Sequence, residues 1–537
     1  MKKLVAAILS LCLLLSCVSV AGAEATGYTD VLDLNLMVAA KSNHGDWNEF
    51  WVLDTIEKYC GIRFHVTQVS EDGWQEKKNL AFATDVLPDV FLNDLTDEDL
   101  SNYGSQGYLL PLEQYMTKEM MPNMYEVMEN EGFPDLIKGM TFPDGHVYNI
   151  HGVNGSLREY AKSRYFINTQ WAENLGVKIP TTLDEFYDYL VAVRDGDADL
   201  DGDPNNEIPI SGVYGKYTDH FAPILVAFGF LEKRLQADEN GNVFFVPAHE
   251  NYKEFLKFMH KLYAEGLLDS TYFTQTSDQY SAKEASGVVA SFTDYASWLN
   301  NSDPAFYMQY SSVEPYTSEY NTEKMWPAKE AIYYGGLSIT SNLEGNEEAI
   351  QRLIKFVDWC YSAQGTELLW RGYALGSWEE YPDTGYYFVP LDEDNLGYLV
   401  RKWAYPTDDY ASAAAWQTAK VKPENNYWPY ATIPSRDDNA NPASTSYNLS
   451  YNINTFCAPY YKVGYPSTLK YTSEENDEMG LISTDLENCI ATYESKMIIG
   501  DLDIDAGFEE MVKTMEGYGL ARYVELAQQA YDRYSGK

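Results

Sequence analysis

The densest chemistry in the chain lies in Asp197-Ala198-Asp199-Leu200-Asp201-Gly202-Asp203-Pro204-Asn205-Asn206-Glu207. Carboxylates at alternate positions, with glycine at the sixth, let a short loop wrap its oxygens around one hard cation. Calcium takes six to eight oxygens at about 2.3–2.6 Å. Asp197, Asp199 and Asp201 can offer side-chain oxygens, Asp203 its backbone carbonyl, and Glu207 the closing carboxylate. An EF-hand closes at position twelve, but here that place is Ile208 and the acid stands one earlier. The motif is therefore EF-like, without the usual exit helix. The alternative is a solvated acidic turn. So many carboxylates in one loop repel one another unless a cation sits among them, which favours bound Ca2+. No companion ligand cluster suggests a reacting water, so the ion's expected role is structural.

Nothing else in the chain reads as an active site. H-E-x-x-H, G-x-S-x-G and G-x-x-x-x-G-K-[ST] patterns are missing. The histidines at 44, 65, 146, 151, 220, 249 and 260 show no metal-ligand spacing. His260 lies beside the apolar face of an expected helix and reads as structural. His151, in Tyr148-Asn149-Ile150-His151-Gly152, lies in a loop where a ligand contact is open. With 81 acidic residues some carboxylates must lie close together, so a pair alone does not identify a glycosidase. The chain is rich in aromatics, with 45 Tyr and 12 Trp, and most of these should fill core and surface. A minority can line a sugar cleft, because aromatic faces stack on pyranose rings while polar edges bind hydroxyls.

These groups sit in an exported frame. Lys2-Lys3, the apolar run Leu4 to Leu15 and the small residues to Ala21-Gly22-Ala23 form a secretory signal over residues 1–23. Cleavage after Ala23 would release a soluble chain. Alternatively, Leu14-Leu15-Ser16-Cys17 resembles a lipobox, with Cys17 lipidated and the protein held at the outer face of the cell membrane. The formal charge of −43 excludes nucleic acid as a partner, since phosphate binding needs a basic footprint. Cys60, Cys360, Cys457 and Cys489 match no zinc pattern and read as buried thiols. The mature length suggests two or more domains at roughly 150 residues each.

Val31 to Ala40 predicts a first strand, with Leu32, Leu34, Leu36 and Val38 on one face and the far end buried on both sides. A helix carrying Phe50, Trp51, Leu53 and Ile56 up to Gly61 follows, then a strand over 63–70 and a short one at Val90-Phe91. This β-α-β opening implies a parallel sheet flanked by helices. Thr182-Leu183-Asp184-Glu185 has capping-box spacing ahead of Phe186, Leu190 and Val193. Further helices carry Phe255 to Tyr263 and Ile350 to Tyr361, and the tail from Asp485 to Tyr534 reads as helices separated by Gly500 and Gly517-Tyr518-Gly519.

The order of several blocks resembles the extracellular solute-binding proteins of ATP-driven sugar importers, especially the large lipoprotein-like group associated with oligosaccharides. The blocks are Ala83-Thr84-Asp85-Val86-Leu87-Pro88-Asp89-Val90, Tyr108-Leu109-Leu110-Pro111-Leu112, Pro143-Asp144-Gly145-His146-Val147-Tyr148 and Phe166-Ile167-Asn168-Thr169-Gln170-Trp171. Leu175-Gly176-Val177-Lys178-Ile179-Pro180-Thr181-Thr182-Leu183-Asp184-Glu185-Phe186 is the most recognisable. Leu262-Tyr263-Ala264-Glu265-Gly266-Leu267-Leu268-Asp269 and Tyr334-Gly335-Gly336-Leu337-Ser338-Ile339-Thr340 follow in the same order.

The resemblance implies an α/β, two-lobed periplasmic-binding-protein-like fold, with hinge crossings and a ligand cleft between the lobes. Crossings are expected near 149–154, 289–294 and 335–340. Lobe one would then be 31–150 plus 291–337, and lobe two 151–290 plus 338–537, with the EF-like calcium loop at 197–207. The implied function is capture of a carbohydrate, expected to be an oligosaccharide, and its delivery to ABC transporter permease subunits by a monomeric, non-catalytic receptor. Expected ligand contacts are Trp47, His151, Asp294, Trp298, Trp326 and Trp378. Alternatives are a secreted carbohydrate-active enzyme and a receptor for peptide-like solutes, which the same fold can also serve.

Overall fold

The computed structural model describes residues 28, 30–130, 132–161, 164–218, 221–329, 333–372, 385–390, 399–404, 406–423, 427–432 and 445–537. Two mixed sheets carry the architecture. The first is built from β1 (Leu32–Ala40), β2 (Ile62–Ser70), β3 (Val90–Leu92) and β4 (Ile150–Asn154). The second contains β5 (Tyr165–Asn168), β6 (Ile208–Ile210), β7 (Val289–Thr293) and β8 (Tyr310–Ser311). The chain then returns to the first sheet with β9 (Tyr333–Ile339) and β10 (Ala431–Thr432). Strand order is β10-β4-β9-β3-β1-β2 in the first sheet and β8-β5-β7-β6 in the second.

The opening follows its hydrophobic pattern. β1 pairs in parallel with β2 (Leu36↔Val66) and with β3 (Leu36↔Val90), and residues 36–40 are buried on both faces. The helix Trp51–Cys60 joins the first two strands and ends where Gly61 turns left-handed at φ 64°. β9 runs antiparallel to both β3 and β4, so β1, β2, β3 and β4 all point the same way. Their C-terminal ends therefore share one edge. From the end of β4 the chain enters the second sheet at Tyr165, and Tyr165 pairs with Thr293 at the end of β7. The edge that ends β7 thus faces the crossing.

Each sheet has its own core. Leu36, Val38, Ile56, Val90, Ile150 and Leu337 pack in the first; Phe166, Phe186, Leu190, Ile210, Phe255 and Phe292 pack in the second. The C-terminal helices Ser473–Ile499, Ile504–Gly517 and Leu520–Ser535 join the second core through Ile490, Met511 and Leu526. Two expected boundaries move. Residues 291–316 lie with the second core through Phe292, Tyr310 and Tyr316, not with the first. The helix Glu347–Tyr361 lies with the first core through Ile350, Leu353 and Val357, as does 427–431. The chain passes back to the first sheet ahead of β9 and leaves it after Thr432. A short strand with every residue buried, such as β7, reads alike in either sheet, so block order alone could not assign it.

One close approach holds the crossing edge of the first sheet. A Cβ at Gly152 would lie 2.2 Å from Tyr430 O and 2.5 Å from Tyr430 N. The 427–432 segment lies directly on β4, and Gly155 N donates to Thr432 O at 2.9 Å. Gly152→Ala is expected to cost about 1–3 kcal/mol by overpacking against backbone that cannot rotate away. Urea denaturation checks this, and an unchanged midpoint would show that the strap yields.

Candidate functional site

The acidic loop joins the helix Leu183–Asp195 to β6. Thr182 caps that helix by accepting from Glu185 N at 3.2 Å. Glu185 does not complete the expected capping box; it reaches back to Thr181 N at 3.0 Å and to Lys178 Nζ at 2.6 Å. Those donors hold its carboxyl well below the usual range, at about 2. In the loop itself, Gly202 is left-handed at φ 97° and its N–H donates to Asp197 Oδ2 at 3.1 Å. Asp201 N donates to Asp199 Oδ1 at 3.0 Å, and Ala198 N to Glu207 Oε1 at 2.7 Å. Each of the three carboxylates is therefore fixed through one oxygen by a backbone amide.

What remains points inward. Asp197 Oδ1, Glu207 Oε2 and Asn206 Oδ1 are shielded from solvent and have no donor. Carboxylate oxygens of Asp197, Asp199 and Glu207 lie within 4.8 Å of one another. Oxygens facing each other across a calcium ion lie at most about 5 Å apart, so the cluster has the right span and hard-oxygen chemistry for one. The carboxylates of Asp201 and Asp203 are not brought into it, and Asp203 was expected to offer only its backbone carbonyl. Both Asp201 oxygens accept from the loop, from Asp203 N and Asn206 Nδ2 at 2.8 Å each, and Asp203 accepts from Asn205 N at 3.2 Å. Asn206 was not foreseen, because a neutral amide among acids gives no distinctive spacing.

A second constellation lies at the crossing. Arg164 precedes β5 and is buried; its guanidinium donates to Tyr217 OH and Glu159 Oε2, both at 3.0 Å, and stacks over the Tyr295 ring at 4.1 Å. Asp294 follows β7, and its N–H donates to Arg164 O at 3.0 Å. Burial raises the Asp294 carboxyl, and burial together with the Asp294 charge raises that of Glu284. Asn300 Nδ2 bridges the two, at 2.8 Å from Glu284 and 3.4 Å from Asp294. Trp298 is half-buried edge-on to Tyr295 with ring centroids 6.4 Å apart. Asp294 and Trp298 thus share this rim with Arg164, Tyr217 and Tyr295, which sequence reasoning missed.

The other expected contacts are dispersed. His151 lies in β4, where its Nδ1 donates to Gly335 O at 2.8 Å; burial, with help from the Lys470 charge, pushes its pKa down to about 4, so it is neutral at pH 7. Trp47 is 0% exposed and packs against Tyr427, Phe50 and Trp428, so its ring faces are taken by protein. Trp326 is buried in the second core, and its backbone pairs with Tyr461. Both are core residues, the ordinary fate of a large apolar ring. Trp378 and Cys17 lie outside the described residues. Cys60, Cys360, Cys457 and Cys489 are free and buried. Among the described residues, no helix is long and apolar enough to cross a membrane.

With two sheets, a crossing rim and an acidic loop in place, the sequence matches the bacterial extracellular solute-binding proteins over residues 51–378. The chain belongs to that family. Members of the family bind solutes, and this protein is a binder rather than an enzyme. It is 27% identical over 511 residues to the fructooligosaccharide ABC transporter substrate-binding protein FusA of Streptococcus pneumoniae serotype 4, over 91% of this chain and 88% of FusA. The structure of S. pneumoniae FusA in complex with kestose superposes with a TM-score of 0.70 at 25% identity, covering 94% of this chain and 100% of that one. A FusA EF-hand mutant in complex with fructo-nystose superposes at 0.71 with 24% identity, over 94% and 100% of the two chains.

Proposed function

We propose that this solute-binding protein captures an oligosaccharide outside the cell and delivers it to the permease subunits of an ABC importer. The observation that carries this reading is the near full-length similarity to FusA, whose solved form holds kestose. The lobes are taken as the two cores, with the cleft between the shared C-terminal edge of β1, β3 and β4 and the rim at Arg164, Asp294 and Trp298. Open α/β sheets bind ligands outside the carboxyl ends of their strands. Trp298 and Tyr295 offer ring faces, and Asp294 and the neutral His151 offer hydroxyl partners. Sugar touching both lobes favours their closure, and the importer reads the closed shape. The protein works as a monomer, either released after Ala23 or anchored through Cys17. Asp197, Asp199, Asn206 and Glu207 hold a structural Ca2+, which would tie the helix Leu183–Asp195 to β6.

Titration calorimetry of the mature protein with kestose and nystose tests this. The expected result is one sugar per chain, recovered chemically intact, with a smaller radius of gyration in the complex. Silence toward both sugars would remove the fructooligosaccharide assignment, and cleavage of either would remove the receptor.

A further inference from the structure

The turn that ends β3 holds two consecutive residues, Asn93 and Asp94, in left-handed backbone at φ 57° and 58°. Neither is glycine, and among the described residues only Asp85 and Leu200 share that region outside glycine. Asn and Asp adopt this region more readily than other residues with a side chain, and the neighbouring elements fix the turn. Here Asn93 N donates to Gly336 O at 2.6 Å, Leu95 N to Asn93 O at 2.9 Å, and Trp74 Nε1 to Asp94 O at 2.9 Å. The turn is pinned to β9 and to the helix Glu71–Thr84.

That pinning leaves one atom unaccounted for. Asp94 Oδ1 accepts from Asn93 Nδ2 at 3.0 Å, but Oδ2 is shielded from solvent and has no donor. Leaving a buried acceptor unmatched is unfavourable, and each such case in a folded protein calls for a reason. The position supplies one. Asp94 stands at the C-terminal edge of β1 and β3, the edge that faces the crossing. Three residues on, Asp97 Oδ1 accepts from Lys470 Nζ at 2.6 Å, so the turn lies beside the other lobe. Burial pushes the Asp94 carboxyl up to about 6; the Asn93 amide and the charge of Lys41, from the loop after β1, act against it, and the charge of Glu71, from the helix Glu71–Thr84, acts with it.

We infer that Asp94 is a specificity-determining residue of the first lobe, its carboxylate accepting hydroxyl protons of the bound sugar. The inference rests on the oligosaccharide reading above. A charged acceptor fixed by its turn favours ligands with a hydroxyl in reach and disfavours those without one, since the unmatched oxygen then stays unmatched.

Asp94→Asn in the mature protein tests the assignment on two independent readouts. Kestose affinity by calorimetry is expected to fall at least tenfold at pH 7.5. Wild-type affinity is expected to weaken as pH drops from 7.5 to 5, while that of Asp94→Asn stays flat. Without ligand, the variant is expected to melt higher than wild type at pH 7.5, because an unmatched buried carboxylate is gone. Unchanged kestose affinity, or a lower ligand-free melting temperature, would overturn the inference. If the wild type binds no kestose, the fructooligosaccharide assignment falls, and the ligand-free melting comparison still decides whether Asp94 is held unmatched.

Discussion

Chelation with EGTA is expected to lower the unfolding temperature of the second lobe, and millimolar Ca2+ to restore it. A cation bound only to the native state stabilises it by about 2.7 kcal/mol at one hundred times its dissociation constant. For a lobe of 150–250 residues each kcal/mol moves the midpoint by about 2–4 °C, so the expected shift is about 5–10 °C. Asp197→Asn and Glu207→Gln should each abolish the response, because each removes charge from an oxygen that faces the others without a donor. Asp203→Asn should keep it, since that side chain is turned to Asn205 N. The contrast separates a cation site from a general effect of acidic charge, which would treat all three alike. An EGTA melt that overlays the calcium melt would sink the calcium assignment.

The acidic cluster was legible because its carboxylates are concentrated in one short stretch, the pattern a single cation would require. Sequence spacing could not tell which acids turn inward. Asp201 and Asp199 share the same alternation, yet both Asp201 oxygens accept from the loop while Asp199 joins the cluster. Periodicity likewise placed the helix Trp51–Cys60 and the tail helices, which bury one face each, and β1, whose alternation gives way to burial on both faces at residues 36–40. It failed where burial is complete. Trp47 and Trp326 looked like cleft aromatics because tryptophan is the usual sugar platform, but a ring at 0% or 3% exposure is core whatever its type. Arg164, Tyr217 and Tyr295 come from three separate segments, and their union exists only once β5, β6 and β7 are assembled. Asp94 had no sequence signal at all, since its distinction is a backbone angle and an unmatched oxygen.

The second large effect is expected at Asp99, whose replacement by alanine should cost the first lobe about 3–5 kcal/mol. Lys78 is 1% exposed, and its Nζ donates to Asp99 Oδ1 at 2.7 Å and Oδ2 at 2.6 Å. Removing the carboxylate strands a buried ammonium, which is far worse than never having buried the pair. The same carboxylate accepts from Thr96 N at 2.9 Å and so closes the capping box of the helix Asp97–Ser105. A lost cap contributes a further ~0.5–2 kcal/mol. This helix also carries Asp97 and Asn102, which meet Lys470 and Ser473 from the other lobe. Asp99→Ala should therefore loosen that contact as well as the fold. Lys470→Met, by contrast, should leave first-lobe stability nearly unchanged. Lys78→Met/Asp99→Leu should recover much of the loss, because well-packed apolar groups replace buried ion pairs at little net cost. Chemical denaturation of the three variants checks the set, and an Asp99→Ala cost below about 1 kcal/mol, the value of a surface pair, would mean that solvent reaches the Lys78 ammonium.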